Sequence, residues 1–184
     1  FLSTSSFGIF IFLILLTTSC KNEKKDDVIT KEITEEQPIT FNITVDIKIK
    51  KDDDLIIYYK DGSNEWIVEE KSVWNSVKGS DSFQKVVFNL PEDVVPNDFR
   101  LDVGRNEFKG QEPIEIRSFT FSYYDSSFVV TQDMFNTFFK PNQYIKYDEA
   151  TKQFSLNKVD GNYDPYFETA PEMYPQISKV VLNN

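Results

Sequence analysis

Few residues of this chain have the chemistry of an active site. Its 184 residues include no histidine and a single cysteine, Cys20. Without histidine there is no Ser-His-Asp or Cys-His nucleophile and no imidazole base, and zinc loses its usual ligands. Six glycines leave no phosphate-cradling loop and no dinucleotide fingerprint. Carboxylates remain, thirty in all. Glycoside hydrolysis needs two of them about 5–10 Å apart around one bond, whereas most acidic residues here fall at strand ends and turns, where a charge is ordinarily solvated. Asp52, Asp53 and Asp54 are consecutive and carry the oxygen ligands that calcium takes. They lack the alternating spacing and the glycine of a calcium loop, and read first as a soluble turn that discourages edge pairing. The expectation is a protein that is not an enzyme and holds no cofactor.

The better candidates are aromatic. Phe, Tyr and Trp make up 15% of the chain. The apolar face of a pyranose stacks on a flat ring while nearby polar groups bond its hydroxyls. Trp66 sits in a loop (SNEWIVEE) and Trp74 in a polar strand (EEKSVWNSV), neither among fully apolar neighbours. Tyr58 and Tyr59 point to opposite faces of one strand, so one of them should face outward. These four are the candidate ligand-stacking residues. The competing reading is that large aromatics are also ordinary core and strand formers.

Cys20 has a different chemistry. An apolar run, Phe7 to Leu16, leads through Thr17, Thr18 and Ser19 to the only cysteine of the chain. Such a run is the length of a secretory signal core and shorter than the roughly 20 residues of a spanning helix. The segment resembles a bacterial lipoprotein signal with its lipobox, which implies acylation of Cys20 and cleavage before it. It departs from that pattern at Thr17, where the family has Leu. No Met and no basic residue precede the run, so the gene start is expected upstream of Phe1. Several acyl chains on one cysteine give stable membrane attachment without a spanning segment.

Residues 20–38 are charged and almost free of aromatics, the composition of a solvated tether. The cluster Glu23, Lys24, Lys25, Asp26, Asp27 resembles the export signal of Bacteroidota-type surface lipoproteins. That resemblance implies an outer-membrane protein displayed on the cell surface; the alternative is a periplasm-facing anchor. The net charge of −10 belongs to the mature chain. Nucleic acid is a poor partner for such a surface, since phosphate binding needs clustered Lys and Arg. The expected partners are the membrane, through Cys20, and a glycan or another protein.

These features need a scaffold, and residues 39–184 read as one. Ile39, Phe41, Ile43, Val45, Ile47 and Ile49 alternate with polar residues, the period of a half-buried strand. A polar turn joins this segment to Leu55–Lys60, predicting a hairpin that ends at the turn pair Asp61-Gly62. Further strands are predicted at Glu69–Val77, Phe83–Leu90, Phe99–Val103 and Ile114–Tyr124. In the last, Ile114 and Ile116 share one phase and Phe119, Phe121 and Tyr123 the other, which predicts a β-bulge near Arg117-Ser118. One helix is predicted after Thr131, with Met134, Phe135, Phe138 and Phe139 packing on the core and Pro141 ending it. Residues 144–156 read as a hairpin about a polar loop. The tail from Asn157 is irregular, with a candidate final strand at Ile177–Leu182; residues 128–184 could form a small extension. Short strands without strand–helix alternation predict an all-β antiparallel sandwich or barrel.

The segments IIYYKDGSNEW, KGSDSFQKVVFNLP, FRLDVG and IEIRSFTFSY, spanning about Asp54 to Tyr124, resemble the jelly-roll modules of extracytoplasmic bacterial carbohydrate proteins. The resemblance implies the jelly-roll-like form of sandwich, in which the first segment faces ligand or solvent, the second is a central strand, and the last two close the sandwich. It carries over no binding residue. The functional expectation is therefore a lipid-anchored, non-catalytic binding module for a glycan or partner protein. The alternatives are an accessory subunit of an outer-membrane assembly and, less readily, a carboxylate glycosidase.

Overall fold

The computed structural model describes residues 39–62, 68–105 and 110–183. Cys20, the apolar leader, the tether and Trp66 lie outside the described residues. In chain order the strands are β1 (Asn42–Lys48), β2 (Asp53–Lys60), β3 (Ser72–Val77), β4 (Gln84–Asn89), β5 (Asp98–Asp102), β6 (Glu115–Tyr123), β7 (Ser126–Thr131), β8 (Phe139–Pro141), β9 (Ile145–Asp148), β10 (Gln153–Leu156) and β11 (Tyr166–Thr169). Two helices accompany them among the described residues, α1 (Phe135–Phe138) and α2 (Tyr174–Leu182).

Two antiparallel sheets form the sandwich. Sheet 1 has the order β4-β1-β6-β7, sheet 2 the order β3-β2-β5-β11-β8, and β9-β10 is a separate hairpin. The chain changes sheet between β1 and β2, β3 and β4, β4 and β5, β5 and β6, and β7 and β8. That is an all-β antiparallel sandwich, one of the two architectures the strand pattern predicts. Alternation builds the core. Ile43, Val45 and Ile47 of β1 join Phe119 and Phe121 of β6, and meet Leu55, Ile57, Phe99 and Leu101 of sheet 2 in a single apolar cluster. Phe99 bridges the layers, with its ring centroid 5.7 Å from Phe41 and 5.8 Å from Phe121. Aromatic pairs at this separation contribute about 0.5–1.5 kcal/mol each beyond their buried area.

The predicted bulge is present. Ile47 faces Ile116 and Asp46 faces Ser118, so Arg117 is the extra residue between them. The 144–156 hairpin also forms, as β9 and β10. Other expectations are corrected. β1 and β2 do not pair as a hairpin; the turn between them carries the chain from one sheet to the other, and β2 pairs instead with β3 and β5. β4, expected to be central, is an edge strand paired only with β1. The predicted helix shrinks to one 3-10 turn and the four residues of α1, with no side-chain cap from Thr131. Phe139 and Pro141 already belong to β8, an edge strand, where a proline costs no needed donor. Phe135, Phe138 and Phe139 are buried in the core as expected.

The tail differs most. Ile177–Leu182 is helical, within α2, and not a strand. Its β-branched residues suggest a strand, but Met173, Ile177 and Val180 are buried at helical spacing. Pro175 in the first turn suits a helix start. Packing of that one apolar stripe outweighs local propensity. Ahead of it, β11 inserts between β5 and β8 and so completes sheet 2. Among the described residues no helix is long and apolar enough to cross a membrane.

Candidate functional site

The outer face of sheet 2 collects the chemistry. β5 reads Asp-Phe-Arg-Leu-Asp and is buried on both sides. Phe99 and Leu101 enter the core, so Asp98, Arg100 and Asp102 point outward on one face. Arg100 is only 5% exposed and Asp102 is fully buried. Charges so placed require partners. Arg100 supplies them: its Nε donates to Asp102 Oδ1 and its Nη2 to Asp102 Oδ2, each at 2.6 Å. This bidentate fork is the strongest form of the pairing. The guanidinium also lies 4.9 Å from the Tyr58 ring and 4.1 Å from the Tyr166 ring. Register explains the sandwiching, since Tyr58 is opposite Arg100 on β2 and Tyr166 is opposite Asp102 on β11.

Burial pushes the Asp102 carboxyl above its ordinary value, and the Arg100 guanidinium pulls against that rise. Burial alone would lower Arg100, but the hydrogen bond and charge of Asp102 hold it above its ordinary value. The bidentate fork sets the guanidinium and the carboxylate against each other inside the face. Burial raises the Tyr58 hydroxyl as well, followed by the charge of Asp102.

Trp74 stands at the rim of the same face, opposite Ile56, which is in turn opposite Asp102. It remains 44% exposed. Its Nε1 donates to Ser72 Oγ at 3.1 Å, which ties the indole edge to its own strand. Arg105 brings a second guanidinium to 5.3 Å from the ring centroid. Gly104, the residue before Arg105, lets the 163–165 segment and Leu156 pack closely against the backbone. Its φ of +69° is a left-handed conformation, and a Cβ there would collide with the Tyr163 hydroxyl and the Leu156 Cδ1 methyl.

Of the candidates read from the sequence, Tyr58 and Trp74 come together on this face. Tyr59 points inward and belongs to the core; Trp66 lies outside the described residues. The three consecutive acids do not converge on one point. Asp52 accepts from Lys78 Nζ at 2.7 Å and from Gly79 N at 3.0 Å. Asp53 is buried and accepts from Gln111 Nε2 at 2.9 Å, while Asp54, on the opposite face of β2, accepts from the Ser76 hydroxyl at 2.5 Å. Among the described residues no group of three or more His, Cys, Asp or Glu is placed to hold a metal.

Arg100, Asp102, Arg105 and Tyr166 are absent from the sequence reading. The alternation of Asp98, Arg100 and Asp102 in an otherwise apolar strand was the available signal for a charged row on one face. Tyr166 carried none, because β11 is too short and isolated to stand out. Asp98 is the other carboxyl that burial raises here, while Thr169 and the Phe99 N–H hold it down. It is four strand residues from Asp102, a span of about 13 Å at ~3.3 Å per residue. That exceeds the roughly 5–9.5 Å between the paired acids of glycosidases, and Arg100 stands between them. The face has the makings of a binding surface. The chain matches no protein-family model, no curated protein and no solved structure, so this face is read from its own chemistry.

Proposed function

We propose that this protein is a lipid-anchored extracytoplasmic binding module. In this reading acylated Cys20 holds it on the outer membrane, displayed on the cell surface, and the outer face of sheet 2 binds a glycan. One observation carries the ligand: Trp74 is exposed at the rim of a face whose centre is a neutral, aromatic-flanked ion pair. A large ring left in water is a standing cost that stacking against a sugar recovers. A protein-docking face would be expected to show a broad apolar patch. Of the exposed large apolar residues among the described ones (Ile39, Trp74, Val87, Tyr124, Val129, Tyr174 and Leu182), Trp74 alone belongs to a strand of sheet 2.

The test is a tryptophan-fluorescence and affinity titration of the full chain and its Trp74→Ala variant against a polysaccharide panel. The expected result is saturable binding to at least one member, weakened about tenfold or more in the variant, in line with stacking worth ~1.4 kcal/mol. Silence across the panel, or a variant that binds as well as the parent, would remove the glycan reading. For the anchor, Cys20→Ala should abolish lipid labelling and release the protein from the membrane fraction. Unchanged retention would assign anchoring to the apolar segment itself.

A further inference from the structure

Arg100 and Arg105 approach the same face, but their charges are spent differently. Arg100 is committed to Asp102 by two hydrogen bonds. Arg105 is exposed and lies against Trp74. Among the described residues it forms no ion pair with a carboxylate. Asp102 does feel Arg105, yet Arg100 already neutralises that acid. Asp164, the other carboxylate acting on Arg100 and Asp102, comes from the segment leading into β11. That segment packs against Gly104 through Tyr163 and Pro165, beside Arg105, yet Asp164 and Arg105 form no ion pair. The result is a cation that no carboxylate of the described residues pairs with, beside an exposed ring, in a chain of net charge −10.

We infer that the ligand at Trp74 is an acidic glycan, one whose sugars bear carboxylates, and that Arg105 reads that charge. The inference rests on the glycan reading above and names its substrate class. The chemistry is complementary. A guanidinium stacked on an indole uses its face for the ring and keeps its N–H donors in the plane of the fork. That fork matches a carboxylate in bidentate geometry. A uronic acid presents the two features together: a pyranose face for Trp74 and a carboxylate at its edge for Arg105. Lysine, a point charge without the planar fork, would do this less well. The acidic balance of the whole chain repels polyanions at long range, so retention of an acidic polymer has to come from a local contact.

The experiment titrates the full chain, Trp74→Ala, Arg105→Ala and Arg105→Lys against three carboxylated polymers and three neutral ones. The carboxylated set is polygalacturonate, alginate and hyaluronan; the neutral set is methyl-esterified polygalacturonate, dextran and galactan. The parent should bind at least one carboxylated polymer about tenfold more tightly than any neutral one, the worth of one charged hydrogen-bonding contact at a solvated site. Arg105→Ala should erase that preference by weakening the acidic polymer alone, and Arg105→Lys should keep part of it. Raising salt should narrow the advantage of the parent over Arg105→Ala on the acidic polymer, since screening of the long-range repulsion is common to both. If neutral polymers bind as well as acidic ones, or the preference survives Arg105→Ala while Trp74→Ala loses binding, the charge inference is overturned and the glycan reading stands. If nothing binds, or Trp74→Ala changes nothing, both fall.

Discussion

The outer faces of the two sheets are built on the same strand alternation and end in opposite chemistry. On sheet 1, cross-strand neighbours run Val87, Thr44, Thr120, Val129 in one row and Asn89, Asn42, Ser122, Ser127 in the next. These side chains are short and uncharged, and all are exposed or half-buried. On sheet 2 the corresponding rows run Trp74, Ile56, Asp102, Tyr166 and Ser72, Tyr58, Arg100, Glu168. There the centre is sealed and the rim is aromatic. A strand face left to water needs little beyond β-formers. A face that desolvates a charge must neutralise it in place. Each sheet carries an arginine–aspartate pair on its outer face, and the pairs differ in the same way. Arg117, held out on the bulge of β6, bonds Asp46 with its side chain 56% exposed. The Arg100–Asp102 pair is sealed.

The largest effect should come from breaking the sealed pair. Asp102→Ala leaves Arg100 buried without its counter-charge and should cost about 3–5 kcal/mol in urea denaturation. The double variant Arg100→Met, Asp102→Leu removes both charges and should restore most of that loss, because a buried pair is only weakly stabilising compared with apolar packing. Asp46→Ala lets Arg117 return to water and should cost about 1 kcal/mol or less. Equal losses at Asp46 and Asp102 would erase the distinction drawn between the two faces.

A smaller effect concerns Asp98, at the other end of the β5 row. Burial holds its carboxyl above the ordinary value, against the opposing pull of Thr169 and the Phe99 N–H. A raised folded-state value means the folded chain binds the proton more tightly than the unfolded chain. That contribution is fully present below about pH 3.9, the unfolded carboxyl value, and is lost as pH rises through the folded value. Asp98→Asn keeps an acceptor for Thr169 and should flatten the decline of stability across that window, as read by thermal melts at stepped pH. Burial raises Asp102 too, so some decline should remain. A steeper decline in the variant would contradict the burial assigned to Asp98.

Much of this contrast was legible in the sequence, but unevenly. Period-two alternation in Ile43, Val45 and Ile47 announces a strand with one buried face, and the phase change between Ile116 and Phe119 announces the bulge at Arg117. Both signals are local. Which strand neighbours which is not, and so β4 was placed centrally and β1 was joined to β2. Trp74 is legible as an aromatic in polar surroundings, and Tyr58 as one of two adjacent tyrosines that must face opposite ways. Arg100 and Asp102 escaped because a charged residue in a strand ordinarily means solvent. Here Tyr58 from β2 and Tyr166 from β11, strands distant in sequence, close over them. α2 reads locally as a strand because Ile177, Val180 and Val181 are β-branched, while the helical spacing of Met173, Ile177 and Val180 matters only through what they pack against.

The smallest expected effect is also the sharpest test of where the ligand sits. Val87 and Val129 are the exposed apolar ends of one sheet 1 row. Replacing both with Thr keeps β-branching and adds hydroxyls that water can satisfy. Exposed substitutions of this kind stay within about 0.5 kcal/mol, so the melting curve should barely move. On the proposed reading glycan titration should not move either, because Trp74 lies on sheet 2 and Arg105 beside it. The informative failure is a loss of binding with stability intact. That outcome would place the ligand on the flat hydroxyl-and-amide face of sheet 1, and leave Trp74 and Arg105 as a surface contact of the scaffold.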